Sequence, residues 1–140
     1  SVADLDQAMN LPSDIMVMAA AVSDFRIDKP FEGKFPRGEA RTMSLTPTKD
    51  LIADFAAKNP DTFCVAFALT EDGADVETIS QGKLLTKKVS AVAGNSVSSL
   101  GSEIGEITLV TKLAVLRESG TKIELGRWLV GAISKTMSKA

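Results

Sequence analysis

The feature that most constrains the fold is an apolar run that ends in an acidic residue. Residues 15–22 read IMVMAAAV, and Ser23 and Asp24 follow directly. An uninterrupted apolar run between polar residues is typical of a strand that is buried on both faces of a sheet. We therefore predict a strand over residues 14–21. Because ligands bind beyond the carboxyl ends of the strands in open α/β sheets, Asp24 is a candidate site residue.

The segment after Asp24 is a long loop that is rich in turn formers and in positive charge. It contains Pro30, Gly33 and Pro36. Its cations are Arg26, Lys29, Lys34 and Arg37. Loops of about fifteen residues without structure of their own are usually functional or disordered. We predict that this loop is a functional lid.

Strand and helix patterns alternate along the rest of the chain. The first predicted elements are a helix from Ser1 to about residue 12, the strand at 14–21, a strand at 41–46 returning to the sheet, and a helix that begins at Thr48. A strand at 62–68, a helix at 75–87 and a strand at 89–94 follow, and Val76, Ile79 and Leu84 of the helix are predicted to face inward. The last elements are a hairpin of 103–111 and 121–125 with a long connection, and a helix after Gly126.

This order of elements predicts a single α/β domain over residues 1–140. We expect a Rossmann-like three-layer fold with a mostly parallel sheet, extended by the lid and a hairpin. Such folds normally open on a strand and a glycine-rich turn, whereas this sequence opens on a helix pattern. We therefore expect that the first βα part of the fold is missing. No G-x-G-x-x-G or Walker A sequence is present.

Composition excludes several classes of function. The net charge of -2 provides no general attraction for nucleic acid or for an anionic membrane. The chain has no histidine and no tyrosine, which excludes catalytic triads, histidine metal sites and a Tyr-Lys dyad within it. Its one cysteine, Cys64, lies in the apolar run 63–67 and is expected to be a buried core thiol in a reducing compartment. No membrane segment or signal peptide is visible, so we expect a cytoplasmic protein.

Polar groups follow three of the predicted strands. They are Asp24, the turn at 67–71 and Asn95, and the helix start at Thr48 adds free backbone amides. Lys83 and Lys87 lie one helical turn apart, where an anion could be held between them and Lys34. Each signal also has a plainer interpretation. An aspartate after a strand often forms a turn, and lysines near a helix C-terminus favour the helix dipole while remaining solvated.

Several short motifs together resemble a known family. The motifs are AAVSDFR at 20–26 against A-A-V-A-D-Y/F-R, Lys34 at the first lysine of K-I-K-K, TKDL at 48–51 against T/N-P-D-I, AFA at 66–68 against G-F-A, Lys83-x-x-x-Lys87 against K-x-x-x-K, and AGN at 93–95 against V-A-N. Residues 1–98 resemble, in order and spacing, the later half of the phosphopantothenoylcysteine synthetase domain of coenzyme A biosynthesis, often fused behind a flavin-dependent decarboxylase. The departures are Pro36 in the lid, Lys49 in place of proline, and Thr70-Glu71 in place of Glu-Thr.

The resemblance implies a ligase that joins 4′-phosphopantothenate to L-cysteine. In this family the substrate carboxylate attacks the α-phosphate of CTP, or of ATP in eukaryotic relatives. The acyl-cytidylate then reacts with cysteine, and CTP ends as CMP and pyrophosphate. The implied cofactor is Mg²⁺, and FMN is implied only if a decarboxylase domain is fused outside this chain. The implied assembly is a homodimer in which the lid, with Phe31 and Phe35, reaches the neighbouring subunit. The isolated chain is expected to be inactive.

The resemblance also implies roles for individual residues. Lys34 is the catalytic cation. The nucleotide-binding residues are Asp24, Lys34, Thr48, Lys49, Asp50, Leu51, Phe67, Lys83 and Lys87. Substrate contact or a structural role is implied for Ala20, Arg26 and Asn95, and no metal ligand is assigned. Two alternatives remain: a non-catalytic Rossmann-like nucleotide-binding module, and an NAD(P)-dependent reductase.

Overall fold

A computed structural model describes residues 1–38 and 40–138 of the chain as seven strands and four α-helices. The strands are β1 (Ile15–Met18), β2 (Phe25–Ile27), β3 (Leu45–Pro47), β4 (Phe63–Thr70), β5 (Ala91–Ser96), β6 (Ile104–Thr111) and β7 (Val115–Thr121). The helices are α1 (Val2–Ala8), α2 (Leu51–Lys58), α3 (Val76–Lys87) and α4 (Lys122–Met137). A short 3₁₀ helix, Val97–Ser99, follows β5.

Five strands form the central sheet, in the order β1-β4-β5-β6-β7. β4 pairs in parallel with both β1 and β5. β6 is antiparallel to its two neighbours, so β7 points in the same direction as the first three strands. All but one of the strands therefore point the same way, and the prediction of an α/β fold with a mostly parallel sheet is confirmed.

One face of the sheet is covered by α1, α2 and α3. The core on this face includes Leu51, Ile52 and Phe55 of α2 and Leu84 of α3, packed with Cys64 and other small residues of the strands. Cys64 is 1% exposed, so the prediction of a buried core thiol is confirmed, and its burial raises the pKa of the thiol. Ile79 is predicted to face this core, but it is 37% exposed, because the buried side of α3 is formed by Val76, Ser80 and Leu84.

The other face of the sheet is covered by α4. Leu129, Ala132 and Ile133 pack there against Val65 and Leu109, which completes a helix–sheet–helix arrangement. α4 does not cover β1, where Ile15 and Val17 are each 43% exposed. The prediction that this strand is buried on both faces is therefore wrong for the described chain, since β1 is an edge strand with an alternating burial pattern. It is also shorter than the predicted 14–21.

The lid begins and ends in a two-stranded ribbon that is separate from the sheet. β2 and β3 pair antiparallel, with Arg26 opposite Thr46. The expectation that a strand at 41–46 returns to the central sheet is therefore wrong. The expected helix start at Thr48 is also wrong, because Pro47 ends β3 and Asp50 caps α2 instead. The Asp50 carboxylate accepts a hydrogen bond from the amide of Ala53 at 3.2 Å.

The last elements begin earlier than predicted. β6 and β7 are joined by residues 112–114, so the expected second hairpin strand at 121–125 is wrong. Thr121 ends β7 and caps α4, and Glu124 completes a capping box with it. α4 consequently begins at Lys122 and not after Gly126.

The strand predicted at 89–94 lies two residues later, at Ala91–Ser96. Among the described residues, no helix has the length and apolar character needed to cross a bilayer.

Candidate functional site

The connection between the ribbon and α2 links residues that are far apart in sequence. At one end, the Thr48 amide donates to the Asp24 carbonyl at 2.8 Å. At the other end, Asp50 caps α2 and forms an ion pair with Lys87, on the last turn of α3. We call residues 48–50 the bridging segment. It places Asp24, at the base of the lid, in a continuous series of contacts with the C-terminal end of α3.

The bridging segment contains a polar group that is not satisfied by the protein. Within the part of the chain that the structure describes, the buried hydroxyl of Thr48 has no hydrogen-bond partner. A buried hydroxyl without a partner is costly, so it favours a ligand that supplies one. The side chain of Leu51, by contrast, is 4% exposed and belongs to the core. The side chain of Leu51 is therefore a core residue and not a candidate ligand contact.

Besides Lys34, the predicted nucleotide-binding cations are Lys49, Lys83 and Lys87. Lys49 and Lys87 already form ion pairs with carboxylates. The Lys87 side chain is 23% exposed and pairs with Asp50, so an incoming phosphate would share or replace that partner. Lys49 pairs with Asp54 at 3.0 Å and Asp6 at 3.3 Å, which ties α1 to α2. Hydrogen bonds from Lys49 to Asp54 and then to Asp6 raise the pKa of the lysine. Lys83 lies one turn before Lys87 and is partly buried.

The lid has a small aromatic cluster of its own. The rings of Phe31 and Phe35 stack with centroids 4.4 Å apart, and the Arg41 guanidinium lies 4.9 Å from the Phe35 ring centroid. These contacts join parts of the segment between β2 and β3, in which Lys34 is exposed. Across residues 1–38 and 40–138, the side chain of Lys34 forms no ion pair that would neutralise its charge.

A second polar group forms where β4 and β5 end. The Thr70 hydroxyl donates to the Asn95 carbonyl at 3.3 Å, and the Asp72 carboxylate accepts from the Ser98 amide at 3.1 Å. Bonds from the side chain and then the backbone of Ser98 hold the pKa of Asp72 below its usual value. The amide nitrogen of Asn95 donates to the Ser99 hydroxyl at 2.7 Å. We call residues 96–99 the serine turn.

The two polar groups carry different parts of the predicted site. The turn predicted at 67–71 is mostly the end of β4, and Thr70 of that strand contacts Asn95. Among the described residues, Asp24 contacts the bridging segment. The Phe67 side chain packs on the α4 face, opposite α2 and α3. Arg26 lies exposed in β2, and Ala20 is exposed after β1. The binding roles of these residues stay predictions.

Sequence reasoning missed Asp72, the three serines of the turn, and Lys122, whose ammonium donates to the Ser99 carbonyl at 2.7 Å. A signal for the turn was present. The run SVSS directly after Asn95 is typical of side chains that bond to nearby backbone, and such side chains shape a turn. Lys122 had no comparable signal, because its contact depends on how α4 meets the sheet.

The chain is similar to known proteins over nearly its whole length. Residues 3–137 match the family described as the DNA/pantothenate metabolism flavoprotein C-terminal domain. A relative in Thermococcus kodakarensis, the coenzyme A biosynthesis bifunctional protein CoaBC, is 31% identical over 127 residues, covering 89% of this chain and 32% of the relative. The chain thus spans about a third of that relative's length.

Solved structures share the fold at low sequence identity. The C-terminal domain of a coenzyme A biosynthesis bifunctional protein CoaBC superimposes with a TM-score of 0.74 at 20% identity, covering 100% of this chain and 64% of that domain. A Cab2 mutant in complex with phosphopantothenate-cysteine gives 0.59 at 16% identity, covering 87% of this chain and 45% of that one. Since the family match extends over nearly the whole chain, this protein belongs to the family of DNA/pantothenate metabolism flavoprotein C-terminal domains.

Proposed function

We propose that this chain is the later part of a phosphopantothenoylcysteine synthetase, a ligase of coenzyme A biosynthesis that joins 4′-phosphopantothenate to L-cysteine with cleavage of CTP to CMP and pyrophosphate. The family membership supports this class of enzyme. The single observation that carries the proposal is the bridging segment, which joins Asp24 beside the lid to Lys87 on α3. Because the chain is about a third of its relative's length, we infer that it lacks turnover in isolation.

The reaction needs positioning and positive charge more than it needs a base. The carboxylate of 4′-phosphopantothenate attacks the α-phosphate of CTP and forms an acyl-cytidylate with release of pyrophosphate. The cysteine amine then attacks the acyl carbon, an amide forms, and CMP leaves. Nucleotidyl transfer of this kind is promoted mainly by groups that stabilise charge on the phosphates. A chain without histidine can do this with lysines, backbone amides and a bound cation.

In this scheme Lys34 is the catalytic cation. Its exposed position in the lid allows the ammonium to approach the phosphates when the lid closes. The Thr48 hydroxyl and the amides at the start of α2 bind phosphate oxygens, since a helix N-terminus favours anions. Lys87 and Lys83 supply charge from α3, with Asp50 holding the Lys87 ammonium in place.

The donor set of the chain fits Mg²⁺ that arrives with the nucleotide. Among the described residues, no three carboxylate or cysteine side chains converge to form a metal cage. Mg²⁺ usually keeps several waters and binds through one or two carboxylates together with substrate phosphates. When bound, the ion neutralises phosphate charge. We assign it to the triphosphate of CTP and name no residue of this chain as its ligand.

We further propose a cytoplasmic homodimer in which the lid contacts the second subunit. Phe31 is 56% exposed and Phe35 44%, and Phe25 and Leu45 of the ribbon are also exposed. Exposed apolar side chains concentrated on one projecting element are typical of an interaction surface. In the relatives named bifunctional, further sequence outside the matched region leaves room for a decarboxylase domain, which would be the part that uses FMN.

The proposed role of Lys34 is tested by Lys34→Gln in the complete protein that contains this chain. We expect turnover, measured as cysteine-dependent pyrophosphate release from CTP, to fall on the order of 100-fold or more, because a charge-assisted phosphate contact is lost. The dissociation constant for CTP should change much less, since the cation acts on the transferring phosphate. Lys29→Gln, in the same loop, is the matched control and should retain activity.

Three results would contradict the proposal. Near-normal turnover of Lys34→Gln would remove the catalytic role of this lysine. Tight CTP binding by the unaltered complete protein without any cysteine-dependent turnover would identify a non-catalytic nucleotide-binding module. Binding of NADPH in preference to CTP in the same assay would favour the reductase.

A further inference from the structure

Lys122 occupies a position where a lysine is not favoured by its own helix. It is the first residue of α4, and the N-terminus of a helix carries partial positive charge that disfavours a cation. The Lys122 backbone amide donates to the Glu103 carbonyl at 3.2 Å. Its ammonium donates to the Ser99 carbonyl at 2.7 Å in a partly buried contact. A charge-assisted hydrogen bond of this kind offsets the unfavourable helix position.

The protein leaves room for this contact at Gly105. A Cβ atom at this position would lie 3.3 Å from the Lys122 ammonium and 3.4 Å from Ser99 Cβ. These distances are tighter than ordinary van der Waals contact, so a side chain there would press on both partners. The absence of a side chain at Gly105 therefore leaves space beside β6 for the Lys122 ammonium, which reaches the serine turn.

The serine turn is held from two sides. Lys122 binds it on one side, and on the other the Asp72 carboxylate accepts from the Ser98 amide. Inside the turn, the side-chain amide nitrogen of Asn95 donates to the Ser99 hydroxyl at 2.7 Å. The same hydroxyl donates to the Ser96 carbonyl at 2.7 Å. Ser99 is 6% exposed. The orientation of Asn95 therefore depends on the position of Ser99.

We propose that Lys122 is a positioning residue: its ammonium, acting through Ser99, fixes Asn95 and the serine turn at the carboxyl end of β5 for the reaction proposed above. The catalytic part of this inference rests on the proposed function, whereas the ordering of the turn by Lys122 does not. Lys122 does not touch substrate in this scheme. It acts by keeping the turn in one arrangement, and small displacements of positioning groups are known to have large effects on rate.

The test is Lys122→Met in the complete protein, which keeps the length of the side chain and removes the ammonium. Hydrogen exchange followed by mass spectrometry should show amides of residues 97–100 exchanging about tenfold faster, because the turn opens more readily. Turnover per folded site should fall about tenfold, with the KM for CTP within about twofold of the unaltered value. Lys112→Met, in the exposed connection between β6 and β7, is the control and should change neither quantity.

A double-mutant cycle with Ser99→Ala separates positioning from general stability. If Lys122 acts through Ser99, the double variant should lose little more turnover than the more impaired single variant. Unchanged exchange at 97–100 in Lys122→Met would overturn the inference outright. Faster exchange with unchanged turnover would also overturn it and leave the proposed function intact. If the unaltered protein shows no CTP-dependent turnover, the proposed function fails, and the exchange result alone decides whether Lys122 orders the turn.

Discussion

Gly94 lies where α3 comes closest to the central sheet. A Cβ atom on Gly94 would lie 2.4 Å from the Ser80 hydroxyl and 2.7 Å from a methyl of Val76. Ser80 is fully buried, and within the described residues its hydroxyl has no hydrogen-bond partner. The close approach therefore depends on the missing side chain of the glycine and on a small residue facing it.

We predict that Gly94→Ala destabilises the protein by about 1–3 kcal/mol, because α3 must move away from β5. The measurement is the free energy of unfolding from urea titration. Gly82→Ala on the outer side of α3 is the matched control, since its Cβ would meet nothing within 4 Å. That control should stabilise the protein by up to about 1 kcal/mol through helix propensity. Equal effects of both substitutions would contradict the packing described for α3.

At the scale of elements, α4 illustrates what sequence patterns predict well and what they leave out. Its apolar residues Leu129 and Ile133 lie one turn apart, and both are buried. The predicted start after Gly126 is too late, because Thr121 and Glu124, which have the spacing of a capping box, begin the helix at Lys122. A glycine within a helix is tolerated at a modest cost, and here the capping residues outweigh it.

The capping box of α4 makes stability depend on pH in a defined direction. The backbone amide and then the hydroxyl of Thr121 hold the pKa of Glu124 below its ordinary value of 4.5. A carboxylate with a lowered pKa stabilises the folded state above its unfolded pKa, and this contribution is lost as the pH falls through the folded value. We therefore expect Glu124→Gln to lower the thermal midpoint slightly at pH 7, and we expect this difference to shrink as the pH falls below 4.5.

The measurement is the thermal midpoint of Glu124→Gln and the unaltered protein across this pH range. Glu103→Gln, at an exposed position before β6, serves as the control for loss of a surface charge. A difference between Glu124→Gln and the unaltered protein that does not shrink as the pH falls below 4.5 would contradict the assignment of the effect to the ionised carboxylate.

At the scale of the whole molecule, the sequence was sufficient to predict the fold class and to identify the family. The order of patterns predicted the parallel strands β1, β4 and β5, because each apolar run is bounded by turn formers. It did not predict that β3 pairs with β2 outside the sheet, since three-residue strands have too little pattern to indicate a partner. It also did not predict that Asp50 pairs with Lys87 and Lys49 with Asp6, because such contacts arise only when α1, α2 and α3 meet on one face.

The same limit applies to the candidate site. Short motifs indicated Lys34, Asp50 and Lys87 individually, and the structure brings the last two together. The serine turn and Lys122 were missed because their contacts join β5 to α4, which no local pattern relates. The site that we propose combines an exposed lid cation, a bridging segment with a Thr48 hydroxyl that has no partner among the described residues, and an ordered turn at the end of β5.

The central claim is that cations from the lid and from α3 surround one nucleotide beside the bridging segment. The most direct measurement is a crystal structure of the complete protein with CTP bound. We predict that the ammonium groups of Lys34 and Lys87 lie within hydrogen-bond distance of the triphosphate, with a phosphate oxygen accepting from the Thr48 hydroxyl. CTP bound elsewhere, for example in the groove between Trp128 and Lys135 of α4 and the β6–β7 hairpin, with Lys34 and Lys87 remote from it, would contradict the account.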